Sequence, residues 1–212
     1  TIKFSLSLRS IISKKPLLTE LDISTKSNDI KNLISLIRLF KNDAKLFIAE
    51  KIIKKGFLIA NIKINFDQMG KIKNNYEITG FVKDVKISLF DKYQLSKIDF
   101  NFGLNKDEFN FKNINLYLNK NKIFLPLLKS EKINQKFLVS GKINSTNFNL
   151  QESDLKNIPE LNQFQQNIQK IEFSSENTFE FEIDKKFKIK KLKTLSKIDL
   201  NELILENETD LI

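Results

Sequence analysis

Tyr76-Glu77-Ile78-Thr79-Gly80-Phe81-Val82 is the stretch on which the reading of this chain turns. Ile78, Gly80 and Val82 fall on one side of an extended chain, and Glu77, Thr79 and Phe81 on the other. That period of two belongs to a strand and not to a helix. The same pattern recurs at Phe137-Leu138-Val139-Ser140-Gly141-Lys142-Ile143. Each copy leads on to a second strand-like piece, Ile87-Ser88-Leu89 in one case and Phe148-Asn149-Leu150 in the other. The shared order is aromatic, any, aliphatic, hydroxyl, glycine, any, aliphatic, and it points to repeated β units. A glycine inside a strand relieves crowding at a bend or bulge of a curved sheet.

The alternation extends in both directions. Ile62, Ile64 and Phe66 alternate with Lys63 and Asn65, and Ile98, Phe100, Phe102 and Leu104 with Asp99, Asn101 and Gly103. Val85, Ile87 and Leu89 follow Val82 out of step by one residue. Phe109 and Phe111 reach Ile114, Leu116 and Leu118 through another such shift, the mark of a bulge. Polar turns separate the pieces, at Asp67-Gln68-Met69-Gly70, Asn105-Lys106-Asp107 and Asn119-Lys120-Asn121. Residues 56–150 therefore read as an antiparallel meander with one apolar and one polar face.

The flanks are mixed. Residues 1–9 read as a strand with Ile2, Phe4, Leu6 and Leu8 on one face, and Leu17 to Ser24 as a second. Residues 28–55 switch to helical spacing. Ile30, Leu33, Ile34, Ile37 and Phe40 make one stripe, with Ser27 as N-cap and Asp29 in the first turn. Ala44, Phe47, Ile48 and Ile52 make a second, closed by Gly56 as a C′ residue. This pair has the outline of a helix-turn-helix, but its second helix offers no Arg to read bases, so we expect it to cover one end of a sheet. A short helix is expected at 157–170, where Leu161, Phe164 and Ile168 line up behind Pro159. Strands resume from Thr178 to Asp184 and from Phe187 to Lys193, and the acidic tail from Asn201 is expected to fray. The expected fold is thus mainly β with a few helices, built on one strongly twisted antiparallel sheet or groove. The chain opens on Thr1-Ile2 already in strand register, and we read it as one β-rich segment of a longer protein.

Composition narrows the chemistry. With no Cys and no His, the chain has no thiolate nucleophile, imidazole base, disulfide or zinc site of the usual kind. Five scattered Gly make no phosphate loop, no metal-ligand spacing occurs, and Asp107-Glu108 and Glu152 with Asp154 read as solvated loop carboxylates. We expect no enzyme and no cofactor. The net charge is +10, from 36 Lys and Arg against 26 Asp and Glu. Only Arg9 and Arg38 are Arg, and the residues that dominate (Ile, Asn, Lys, Phe) are those of an A/T-rich coding sequence. Arg is the residue that reads bases and phosphates bidentately, so the lysines are taken as solvated surface and no nucleic-acid partner is expected. The 19 Phe lie with Ile and Leu, not on an exposed base-stacking face. No run approaches the roughly 18 apolar residues that span a bilayer.

The strand-Gly-strand units around Gly80 and Gly141 resemble the AsmA-like superfamily, the YhdP- and TamB-like bacterial envelope proteins. So do Leu95-Ser96-Lys97-Ile98-Asp99-Phe100-Asn101-Phe102 and Phe109-Asn110-Phe111-Lys112-Asn113-Ile114-Asn115-Leu116. The resemblance covers about half the chain, from Gly56 to Leu150. It implies a long apolar β groove that carries phospholipid between the inner and outer membranes. It also implies a periplasmic location, with anchorage in the inner membrane through a segment outside this chain. An acyl chain costs about 0.8 kcal/mol per CH₂ to expose to water, so a continuous trough suits such a passenger. The residues expected to line it are Ile62, Ile64, Phe66, Ile78, Val82, Ile87, Leu89, Ile98, Phe100, Phe102, Ile114, Leu116, Val139 and Ile143. Periodicity alone leaves open whether they line a groove or fill a closed sandwich core. It equally leaves open an envelope assembly domain that binds protein partners and no lipid.

Overall fold

A computed structural model describes residues 1–6, 17–40, 44–73, 75–89, 93–134, 136–155, 168–184 and 188–205. Strands β1 (Ile2–Leu6), β2 (Leu18–Ser24) and β3 (Asn28–Asp29) come first, followed by helices α1 (Ile30–Phe40) and α2 (Ala44–Ile52). Then come β4 (Ile53–Asn65), β5 (Glu77–Leu89), β6 (Tyr93–Leu104), β7 (Glu108–Leu118), β8 (Asn121–Ile133) and β9 (Lys136–Gln151). A single helical turn, α3 (Glu152–Leu155), precedes β10 (Ile168–Ile183) and β11 (Ile189–Leu205).

All eleven strands form one sheet, in the order β1-β2-β4-β5-β6-β7-β8-β9-β10-β11, with β3 also on β4. Every pairing is antiparallel, and from β4 onward each strand pairs with its neighbours in sequence. The sheet is open and twisted. Its strands are long, 11 to 17 residues from β4 onward.

Bulges interrupt such strands, shifting the pairing register and increasing the local twist. Asp84, Lys97, Asn113 and Asn147 each have φ near +50°, one apiece in β5, β6, β7 and β9. The bulges of β5 and β6 fall at shifts of pairing register. In β8 the comparable place is held by Pro126, between Phe124 and Leu128, where the pairing with β9 shifts. Proline has no N–H to give to a ladder, so a bulge is where a sheet tolerates it. The bulge in β5 is pinned from the next strand, since the Asp84 N–H donates to Asp99 Oδ1 at 2.6 Å. The Asp84 side chain accepts from the Lys55 ammonium on Oδ2 at 2.5 Å.

The two repeated glycines lie in one row across the sheet. Reading from strand to strand, the row runs Ala60, Gly80, Phe102, Phe111, Leu128, Gly141, Phe179 and Thr194. Each glycine stands opposite a Phe of the following neighbour, and the ring folds back over it. A Cβ at Gly80 would stand 2.3 Å from Ile59 O and 2.6 Å from Phe102 Cζ, and one at Gly141 2.7 Å from Phe179 Cζ. The motif's glycine is therefore a seat for a cross-strand aromatic ring.

Helix α1 starts where Asp29 Oδ1 accepts the Asn32 N–H at 2.9 Å, so Asp29 is the cap and Ser27 lies outside the helix. Ile34 is buried, and Ile30 packs on the cluster of Val82, Val85 and Ile98. Arg38 of α1 pairs with Glu50 of α2 and lies over the Phe47 ring, its Cζ 5.0 Å from the centroid. The helical pair thus lies against β4 and β5, with β1 and β2 continuing the sheet beyond them, and does not cover an end of the strand order. Full burial of one such aliphatic side chain contributes about 1.5–3 kcal/mol.

Several expectations are corrected. Helix α2 ends at Ile52, and Gly56 sits inside β4 with φ +146° instead of closing the helix. A Cβ there would stand 2.4 Å from Val85 Cγ2, so close packing on β5 accounts for the glycine. The helix expected at 157–170 falls outside the described residues up to 167, and 168–170 belong to β10. β10 begins ten residues before the expected Thr178, and residues 201–205 of the expected fraying tail are strand. Leu8 and Phe187 lie outside the described residues.

The ring seats predict a graded cost. Gly80→Ala should destabilise by about 1–3 kcal/mol, because one of its clashes is with backbone. Gly141→Ala should cost less, since its closest atom belongs to a ring. Gly103→Ala, whose Cβ would meet nothing nearer than 3.9 Å, should stay within about 0.5 kcal/mol in urea unfolding.

Candidate functional site

The candidate site is the apolar face of the sheet. Cross-strand register carries one row over nine strands, from Ile2 through Ile23, Ile62, Ile78, Leu104, Phe109, Ser130 and Val139 to Phe181. The glycine–phenylalanine row runs beside it. Edge-to-face ring contacts bridge the strands, Phe100 to Phe111 at 5.8 Å and Phe109 to Phe137 at 6.0 Å between centroids.

The expected lining residues divide by burial. Val82, Ile98, Ile114 and Val139 are buried. Ile62, Ile64, Phe66, Ile78, Ile87, Phe100, Phe102, Leu116 and Ile143 are half-buried. Leu89 belongs to β5, and its side chain is outside the described residues. Register places Ile78, Val82, Phe100 and Phe102 side by side, with Ile62 opposite Ile78. Ile114 and Leu116 face Leu125 and Ile123 of β8, while Val139 and Ile143 face Phe181 and Asn177 of β10. Phe66 stands apart, bridged to Ile72 beyond the end of β4.

Among the described residues every strand belongs to the one sheet, so no separate second sheet packs on this face. Helices α1 and α2 lie against β4 or β5, and α3 lies against β9 and β10. A half-buried Phe or Ile on a bare sheet keeps part of its apolar surface in contact with water. Sequence reasoning missed the contribution of β8, whose Ile123, Leu125 and Leu128 continue the face. It also missed Phe173 and Phe179 of β10. The face is not uniformly apolar, since the Ser145 and Ser175 side chains on it are buried and hydrogen-bonded to each other at 2.8 Å.

The opposite face is laced with cross-strand ion pairs. Lys63 pairs with Glu20, Lys142 with Glu176, Lys193 with Glu180 and Lys129 with Glu108, while Lys129 also pairs with Glu131 along β8 itself. The most charged knot is at β9–β10–β11. Lys136 and Lys191 hydrogen-bond one oxygen each of Glu182, at 2.8 and 2.7 Å, and hold its carboxyl down at about 2. The Lys142 hydrogen bond also lowers the Glu176 carboxyl, and Glu202 with Glu172 raises Lys170. Many lysines are therefore matched by carboxylates on the sheet itself. Among the described residues no group of three acidic side chains is placed to hold a metal ion, and no helix is long and apolar enough to cross a membrane.

Comparison with known protein families, curated proteins and solved structures finds no match to this chain.

The Glu182 knot has a pH consequence with a definite sign. Its folded carboxyl is held at about 2, against an ordinary 4.5, so its contribution to stability is complete above 4.5 and is lost as the pH falls toward 2. Amide exchange across β10–β11 should accelerate in that window, and Glu182→Gln should remove this part of the acid response. An unchanged acid profile in the variant would show that the knot does not act on this edge.

Proposed function

We propose that this chain is a non-catalytic segment of a bacterial envelope protein, whose apolar sheet face shelters phospholipid acyl chains in transit between inner and outer membranes. One observation carries the reading: an apolar face continuous from strand to strand, with no second sheet upon it among the described residues. Hydrocarbon is a fitting complement to such a face. Laid along the rows, an acyl chain would remove from water both its own methylenes and the half-exposed Phe and Ile surface, at about 0.8 kcal/mol per CH₂. The polar face stays in solvent behind its lysine–carboxylate pairs. The AsmA-like resemblance of the strand-Gly-strand units agrees with this use. In this reading the segment faces the periplasm and is anchored in the inner membrane by a part of the protein outside this chain, and it needs neither cofactor nor nucleic-acid partner.

An assembly domain that binds protein and no lipid is the second reading, and β11 favours it. All 17 residues of this edge strand are exposed, Leu195 to 75% and Ile198 to 61%. Its outer edge, unpaired among the described residues, is long enough to be a template for another strand.

Mass spectrometry of the purified chain discriminates the two. Transfer predicts co-purified phospholipid and saturable binding of a fluorescent acyl probe. Ile143→Asp, which sets a charge on the apolar face, should weaken probe binding on the order of tenfold or more, while Lys112→Asp on the polar face should not. Lipid-free protein that ignores the probe would overturn the transfer reading in favour of assembly.

A further inference from the structure

β11 is exposed along its whole length, and among the described residues only β10 pairs with it. Register with β10 sorts its side chains. Thr194, Ser196, Ile198 and Leu200 stand opposite Phe179, Asn177, Ser175 and Phe173, on the apolar side of the sheet. Lys193, Lys197 and Asp199 stand opposite Glu180, Glu176 and Ser174, on the polar side. Lys193 leans on Glu180 and Asp199 on Lys197, yet their side chains stay 75% and 65% exposed.

The regular part of this strand matches itself. The bulge at Lys191, φ +52°, closes it on one side. Asn201, skipped where the pairing shifts between Leu200 and Glu202, closes it on the other. Residues 192–200 lie between, and their midpoint is Ser196. Laid antiparallel on a copy of itself about that midpoint, the stretch sets Leu192 opposite Leu200, Thr194 opposite Ile198, and Ser196 opposite Ser196, all on the apolar side. On the polar side Lys193 meets Asp199 and Leu195 meets Lys197. No like charges face each other, and two-fold symmetry makes the Lys–Asp pair occur twice.

Neighbouring registers fail. Centring on Lys197 sets that lysine against its own copy, and centring on Leu195 sets Lys193 against Lys197. A slip by one residue between the two strands joins the apolar face of one copy to the polar face of the other. Lysine on an exposed edge normally wards off other strands. Here Asp199 answers it, so the edge resists other strands and admits its own copy.

We infer that the outer edge of β11 is a homodimer interface, at which two copies pair antiparallel about Ser196 and join their sheets into one with a shared apolar face. Such a pairing closes the free edge of both copies. Pairing of β11 with the five-residue β1 edge of another copy would instead propagate without end. The interface goes beyond the acyl-chain reading and holds whether or not the face carries lipid.

Sedimentation equilibrium of the 212-residue chain should show a species of twice 24.8 kDa that grows with concentration. Lys193→Asp and Asp199→Lys each set like charges face to face at two places, and each should raise the dissociation constant about tenfold. An equimolar mixture of the two variants restores both opposite-charge pairs and should dimerise about as tightly as wild type. Ser196→Cys should form an intermolecular disulfide on mild oxidation, because directly opposed residues bring their Cα atoms within about 4.5–5.5 Å. Thr194→Cys should cross-link only when mixed with Ile198→Cys. A monomer at every concentration, or a dimer indifferent to both charge variants, would overturn the interface. A dimer broken instead by Ile143→Asp would place the contact on the apolar face, and open-ended assembly would place it between β11 and β1. Either result would overturn the two-fold at Ser196. Binding of the acyl probe is measured separately, so loss of the dimer leaves the acyl-chain reading standing.

Discussion

One continuous antiparallel ladder has to satisfy the backbone of this chain, and among the described residues no second sheet lies on its apolar face. Folds of this kind normally bury the apolar side of a sheet against helices or a second sheet. Here the strands pair side by side in a single sheet; Ile30 of α1 packs on Val82, Val85 and Ile98, and α3 lies against β9 and β10. The remaining architecture answers that constraint. Bulges at Asp84, Lys97, Asn113 and Asn147 interrupt the long strands and increase their local twist. Phe102 and Phe179 fold over Gly80 and Gly141, so each ring packs on the backbone of the neighbouring strand. Ion pairs take the polar face, where solvent screens them and each adds little alone.

The meander was legible in the sequence because period-two alternation has one structural meaning when turns punctuate it. Even the slips in phase could be read. The shift between Val82 and Val85 is the bulge at Asp84, and the shift between Phe111 and Ile114 contains Asn113. The glycine repeat was visible as a pattern, but its cause was not. A local pattern carries no register, and only register shows that Phe102 and Phe179 are the residues opposite.

What escaped the sequence did so for physical reasons. β8 runs Ile123-Phe124-Leu125-Pro126-Leu127-Leu128, apolar on both faces and broken by a proline, and such a run has no alternation to detect. Gly56 follows a helix closely enough to look like its C-terminal residue, yet close packing on Val85 of a strand distant in sequence sets its conformation. Asp29 displaced Ser27 as the helix cap because Asn28 and Asp29 first pair with Leu58 and Phe57 of β4. As for the site, the apolar rows were foreseeable from β4 to β7. The serine pair was not, since Ser145 and Ser175 meet only across the β9–β10 pairing.

The account stands on the claim that the apolar face is open to a ligand and is not the inside of a closed core. The native chain has no cysteine, so single cysteines report on chosen sites. The most direct measurement is the maleimide reactivity of Phe102→Cys, Leu116→Cys and Ile143→Cys, compared with Lys112→Cys on the polar face, before and after addition of phospholipid. An open face predicts measurable labelling at all three apolar positions in lipid-free protein, and protection of those three but not of position 112 once lipid is bound. Complete protection of the three without lipid, unchanged by its addition, would mean that the face is sealed and would contradict the account.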